Sequence, residues 1–110
     1  MIALALAMAI SSHLGAPLSA PPPAPLSFAT LPAPWGCIAH YESTDRLDAV
    51  NPASGDLGAF QFSPSTWAEY SPPGWPPVLD ASLYEQLVVA QAVRRGQGWG
   101  AWQTAPLCGL

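Results

Sequence analysis

Glu42 stands alone. It is the only glutamate in the first 68 residues of a 110-residue chain in which ten side chains carry a formal charge. It lies behind Tyr41, two residues after His40 and directly before Ser43. A carboxyl group among apolar neighbours keeps its proton to higher pH, and a protonated carboxyl can deliver that proton to a leaving oxygen. Glycosidic bond cleavage needs such an acid. The bland alternative is a solvated residue at a helix end, which on position alone is the commoner case. Other chemistries find less support. Two cysteines and two histidines, His13 and His40, are too few for a metal site, and no metal or other cofactor is expected. No glycine-rich phosphate loop and no G-x-S-x-G occur. Asp45, Asp48 and Asp56 could each supply a second carboxylate, but all fall in turn-rich sequence where Asp serves local needs.

The elements that would position Glu42 follow from caps and periods. Trp35 to Ser43 is expected as a first helix, with Cys37/Tyr41 and Ile38/Glu42 each four residues apart on adjacent strips of one face. Glu42 then lies at the helix C-terminus, where the dipole also disfavours an anion. Leu57 to Phe62 is expected as a short extended segment, with Phe60 and Phe62 on one side and Gln61 on the other. Ser63 and Pro64 mark the N-cap and first residue of a second helix running to about Tyr70. The segment "SPPGWPP" (71–77) must be a loop, with Tyr70 and Trp75 beside it expected at the surface. Ser82 and Glu85 have capping-box spacing, and Leu83, Leu87, Ala90 and Val93 continue a helical period to Gly96 or Gly98. His40 falls on nearly the opposite side of its helix from Glu42 and is expected at the surface.

Composition bounds the rest. Seven of 14 prolines lie between Pro17 and Pro34, which gives an extended linker over residues 21–33. The apolar run Ile2 to Ile10 is too short to span a membrane and suits the core of a secretory signal over residues 1–20, although no Lys or Arg precedes it. The foldable part is residues 34–110, a size at which a core usually needs a staple. Cys37 and Cys108 bracket it, and in an exported chain they are expected to be bonded rather than to be two separate buried thiols. Closing that loop would stabilise the fold by about 4 kcal/mol in the chain-entropy model. The net charge of −4 excludes a nucleic-acid partner held by a basic patch. The class expected is mainly α, a small helical domain with at most a short hairpin and one disulfide.

The ordered set Glu42-Ser43, Asn51-Pro52, Gly58-Ala59, Gln61, Pro64 and Thr66 resembles the lysozyme-like lytic transglycosylases of bacteria. Gln61-Phe62, Thr66-Trp67, Gln97-Gly98, Ala101-Trp102 and Cys108-Gly109 resemble, within that superfamily, the catalytic domain of the actinobacterial resuscitation-promoting factors. The resemblance covers residues 34–110. It implies a minimal lysozyme-like (α+β) fold and cleavage of the MurNAc–GlcNAc bond of peptidoglycan, with Glu42 as acid and then base and no second catalytic carboxylate. It implies that Thr66 and Gln97 contact the sugar chain. Gln61 and Tyr70 are further candidate substrate contacts, with Gln61 weighted toward a structural hydrogen-bonder beneath the site. Trp67, Trp99 and Trp102 are weighted toward core packing over sugar stacking. Peptidoglycan strands are the implied partner, another cell-wall hydrolase a possible protein partner, the chain a monomer, and its location secreted or at the cell wall. Two departures stand out. The cysteine that directly precedes the Glu in close relatives is here one turn earlier, at Cys37. Thr44-Asp45 replaces their Gly-Gly, which alters the turn beside the site. A non-catalytic peptidoglycan-binding or signalling module on the same fold is the alternative, and hydrolysis is not separable from anhydro-forming transglycosylation.

Overall fold

The computed structural model describes residues 25–110, so the expected signal and residues 21–24 of the expected linker lie outside the described residues. Three α-helices form the frame: α1 (Trp35–Ser43), α2 (Pro64–Tyr70) and α3 (Leu83–Gln97). Short 3-10 turns at Phe28–Thr30, Val78–Asp80, Trp99–Ala101 and Ala105–Cys108 complete it. Extended pairing among the described residues is confined to two isolated antiparallel bridges, Val50 with Leu57 and Leu57 with Phe62. The mainly helical class is therefore what the chain adopts, but Leu57 to Phe62 is not the extended segment expected: residues 58–61 turn back so that Leu57 pairs with Phe62, with Gly58 and Gln61 at positive φ.

The helix starts are made by the expected groups. The Ser63 hydroxyl accepts from the Thr66 amide at 3.2 Å, with Pro64 in the first helical position where its missing N–H costs nothing. Ser82 and Glu85 form a reciprocal box, with bonds of 2.9 and 3.0 Å. Gly98, at φ 78°, ends α3. Helix α1 ends differently. Thr44 and Asp45 both take left-handed φ values, 56° and 59°, and their amides close back onto His40 and Ala39. Two successive non-glycine residues there carry a steric cost that glycine would avoid.

The core runs between α1 and α3 through the loop that joins α1 to α2. Ile38, Phe60, Val89 and Val93 are fully buried, and Trp35, Trp67 and Trp102 nearly so. Trp35 packs edge-on to Phe60 and Trp102 at 5.7 and 5.3 Å. Two of these three indoles have a recorded acceptor for their N–H. Trp102 donates to the Phe60 carbonyl at 3.0 Å and Trp67 to the Pro76 carbonyl at 3.1 Å. The second bond draws the Pro-rich loop over α2, so Trp75 and Tyr70 pack against the core instead of standing at the surface.

Gln86 is the one fully buried polar side chain of α3. It accepts from the Ala59 amide at 2.7 Å and donates to the carbonyls of Leu47 and Val78, both at 3.1 Å. Gln86 thereby pins the α1–α2 loop from beneath. Gly58 is needed on two counts: its φ is 84°, and a Cβ there would lie 2.5 Å from Gln86 Oε1 and 2.6 Å from Val78 Cγ1.

Cys37 and Cys108 are bonded, joining α1 to the last 3-10 turn. The expected boundary at residue 34 needs correction. Leu26, Phe28 and Leu31 pack against the core, so the packed body begins inside the stretch read as linker. Proline density hid this, because the apolar residues between the prolines carry no helical or strand period.

Candidate functional site

A groove crosses one face in two connected parts. The larger, about 500 Å³, is lined by Glu42 with Tyr41, Asn51, Ser54, Gln103 and Thr104. The smaller, about 150 Å³, is lined by Thr66 and Gln97 with Phe60, Phe62, Ser63 and Val93. Asp56, Gln61, Ala101 and Trp102 line both and form the shared floor. Each wall has a structural reason. The end of α1 delivers Glu42, and the Gln86-pinned loop delivers Asp56 and Gln61. Helices α2 and α3 deliver Thr66 and Gln97, while the chain after α3 delivers Ala101 to Thr104.

Glu42 is half-buried. Its Oε2 accepts a hydrogen bond from the Thr104 hydroxyl at 2.5 Å, across 62 positions of sequence. Its pKa lies above the ordinary carboxylate value. Burial is the main cause, the Thr104 hydrogen bond works the other way by stabilising the charged form, and the negative charge of Asp56 raises it further. Ser43, directly after it, is buried and locks the helix end. Its hydroxyl donates to the Ala39 carbonyl at 3.0 Å and accepts from the Arg46 amide at 3.1 Å.

Gln61 sits at φ 55° and donates to the Gly58 carbonyl at 3.0 Å, so it shapes the floor as well as lining it. The groove thus brings together Glu42, Gln61, Thr66 and Gln97. Tyr70 is left out. It lines neither part, lies under α3 where a Cβ at Gly96 would fall 2.6 Å from its hydroxyl, and meets Gln97 only through a 3.5 Å contact. Of the three turn aspartates only Asp56 reaches the groove. His40 is exposed and stacks edge-on with Tyr41, outside the groove lining.

Sequence reasoning passed over Thr104 and Tyr41. No local pattern flags Thr104, because its partner is in another element. Tyr41 does carry a signal in the sequence, its adjacency to Glu42. A half-buried carboxyl whose pKa is raised by burial, on the wall of a polar groove with hydrogen-bonding side chains along its length, is of the kind that can protonate a bridging oxygen of an extended polar chain.

The family model described as transglycosylase-like domain matches residues 29–105. Resuscitation-promoting factor Rpf1 of Corynebacterium glutamicum is 37% identical over 86 residues, covering 77% of this chain and 42% of that protein. Resuscitation-promoting factor RpfC of Mycobacterium tuberculosis is 39% identical over 79 residues, covering 71% and 52% respectively. Lysozyme P of Drosophila melanogaster is 33% identical over 89 residues, covering 69% and 63%. The chain spans 42% to 63% of the length of these three relatives.

Proposed function

The chain belongs to the transglycosylase-like domain family, as a lysozyme-like domain of the resuscitation-promoting factor type, and from that premise we propose that it cleaves peptidoglycan glycan strands at the MurNAc–GlcNAc bond. The observation that carries the reading is Glu42: the one glutamate on the groove, its pKa raised by burial, among polar side chains suited to a sugar chain.

Thr66, Gln97 and Gln61 hold the strand by hydrogen bonds, and Trp102 gives it an apolar floor. Glu42 donates its proton to the glycosidic oxygen. The MurNAc C1–O bond breaks, and the GlcNAc unit leaves as its 4-hydroxyl. The positive charge developing at C1 is stabilised by the substrate's own N-acetyl group, within the field of Asp56. Glu42, now a carboxylate, takes a proton either from the MurNAc 6-hydroxyl as it attacks C1, giving an anhydro end, or from water, giving a reducing end. Protons balance in both branches, so one glutamate suffices. General acid catalysis of this kind contributes roughly 100- to 10,000-fold. The substrate of this reading lies outside the cell membrane, which supports action as a secreted or cell-wall protein.

Digestion of purified peptidoglycan, followed by mass spectrometry of the soluble fraction, tests this. Fragments ending in MurNAc are expected, and the mass of that end reports which nucleophile was used. Undigested strands that nevertheless retain the protein on pelleting would favour the binding-module reading.

A further inference from the structure

Resting on that reading of Glu42, we propose that Thr104 is the positioning residue of the site. Its hydroxyl fixes Glu42 Oε2 and leaves Oε1 as the single oxygen that gives and takes the proton. A carboxyl group has two equivalent oxygens until its surroundings distinguish them. Here one accepts a 2.5 Å bond from Thr104. That hydroxyl's hydrogen is committed to Oε2, so the acid's own proton resides on Oε1.

Thr104 is itself held from both sides. Two residues before it, Trp102 is buried and anchored through its indole N–H to the Phe60 carbonyl at 3.0 Å. Four residues after it, Cys108 is bonded to Cys37, one helical turn before Tyr41 on α1, whose last turn carries Glu42. Its own carbonyl accepts from the Leu107 amide at 2.9 Å, closing the 3-10 turn between these anchors. The disulfide and the Thr104–Glu42 bond therefore join the same two segments at two places. The β-branched threonine adds a stiff χ1. An acid so held is presented in one orientation, which a freely rotating glutamate at a helix end would not be.

The two roles of Glu42 also need this group. Burial and Asp56 both favour the protonated form, which helps the first step and hinders proton release. Thr104 is the counterweight that stabilises the carboxylate left after the glycosidic oxygen is protonated. The other ionisable side chains lining this part of the groove are Tyr41 and Asp56, and no lysine or arginine lines it. Thr104 is thus the sole neutral donor recorded on the carboxylate among the described residues.

The test combines a carbon-detected NMR titration of the Glu42 carboxyl with pH–rate profiles on peptidoglycan, for wild type, Thr104→Val and Thr104→Ser. Thr104→Val should raise the Glu42 titration midpoint and move the alkaline limb of the rate profile upward with it. It should lower kcat on the order of 10-fold with KM little changed, in keeping with one hydrogen bond to a charged group. Thr104→Ser should restore most of both. Thr104→Ala is read in the same way should the valine variant melt early. An unmoved midpoint and rate profile in a folded Thr104→Val or Thr104→Ala overturn the proposal, as does a serine variant as impaired as valine. A shifted midpoint in a protein whose wild type cuts no glycan overturns instead the enzymatic reading beneath it.

Discussion

At one end of the groove Glu42 is half-buried and accepts a 2.5 Å hydrogen bond from a residue 62 positions away, on segments that a disulfide also joins. At the other end Gln97 is exposed on the last turn of α3, and its side chain reaches only Tyr70, at 3.5 Å, among the described residues. The contrast fits the roles proposed for the two ends. A proton transfer fails when the acid is displaced by an ångström, so its side chain must be oriented before substrate arrives. A hydrogen bond to a sugar hydroxyl tolerates adjustment, so its donor can remain mobile until the strand binds.

The contrast breaks most severely if the tight end is unbolted. Replacing Cys37 and Cys108 together with alanine should destabilise the domain by about 4 kcal/mol, read from denaturant midpoints. Activity should fall even where the variant is still folded, because α1 and the Thr104 turn lose one of their two links. Full activity in the folded variant would show that the bridge has no part in presenting Glu42. At the loose end, Gln97→Ala and Thr66→Ala should each raise KM by about 10-fold with kcat within about twofold, the signature of a binding contact worth roughly one hydrogen bond. A collapse of kcat instead would place these side chains in the chemistry.

The fold was more legible in the sequence than the site. Ser63-Pro64, the Ser82/Glu85 box and Gly98 locate both ends of α3 and the start of α2, because capping is a local event between residues a few positions apart. The groove is a product of long-range placement. Thr104 carries no local signature. Gln86 does carry one: a glutamine within the apolar period Leu83, Leu87, Ala90 implies a buried polar group with partners, and it has them at Leu47, Ala59 and Val78. The packing of Leu26, Phe28 and Leu31 was hidden by the prolines between and around them.

Asp56 belongs to both ends, and Asp56→Asn sharpens the comparison by altering charge while keeping shape. Since Asp56 helps to raise the Glu42 pKa, its removal should let Glu42 ionise at lower pH. The alkaline limb of the rate profile should then move downward. Asp45→Asn and Asp48→Asn, outside the groove lining, should leave the profile in place. The smallest effect belongs to the turn after Glu42. Thr44→Gly should relieve a left-handed residue at φ 56°, raising stability by up to about 1 kcal/mol after the entropic cost of glycine, read from thermal unfolding. A loss of stability would mean that Thr44 makes compensating interactions in solution.

The central claim, that Glu42 is the acid, is tested most directly by Glu42→Gln in a peptidoglycan turbidity assay beside wild type. Glutamine keeps the shape but holds no transferable proton, so the rate should fall by about 100-fold or more. Stability supplies the control. Because the folded pKa of Glu42 is raised, the native state binds its proton more tightly than the unfolded chain does. Ionisation therefore costs stability progressively as pH rises through the unfolded value and up to the folded one. Above that window the glutamine variant should melt at the same temperature as wild type or slightly higher. A folded Glu42→Gln protein that clears peptidoglycan as fast as wild type would contradict the account.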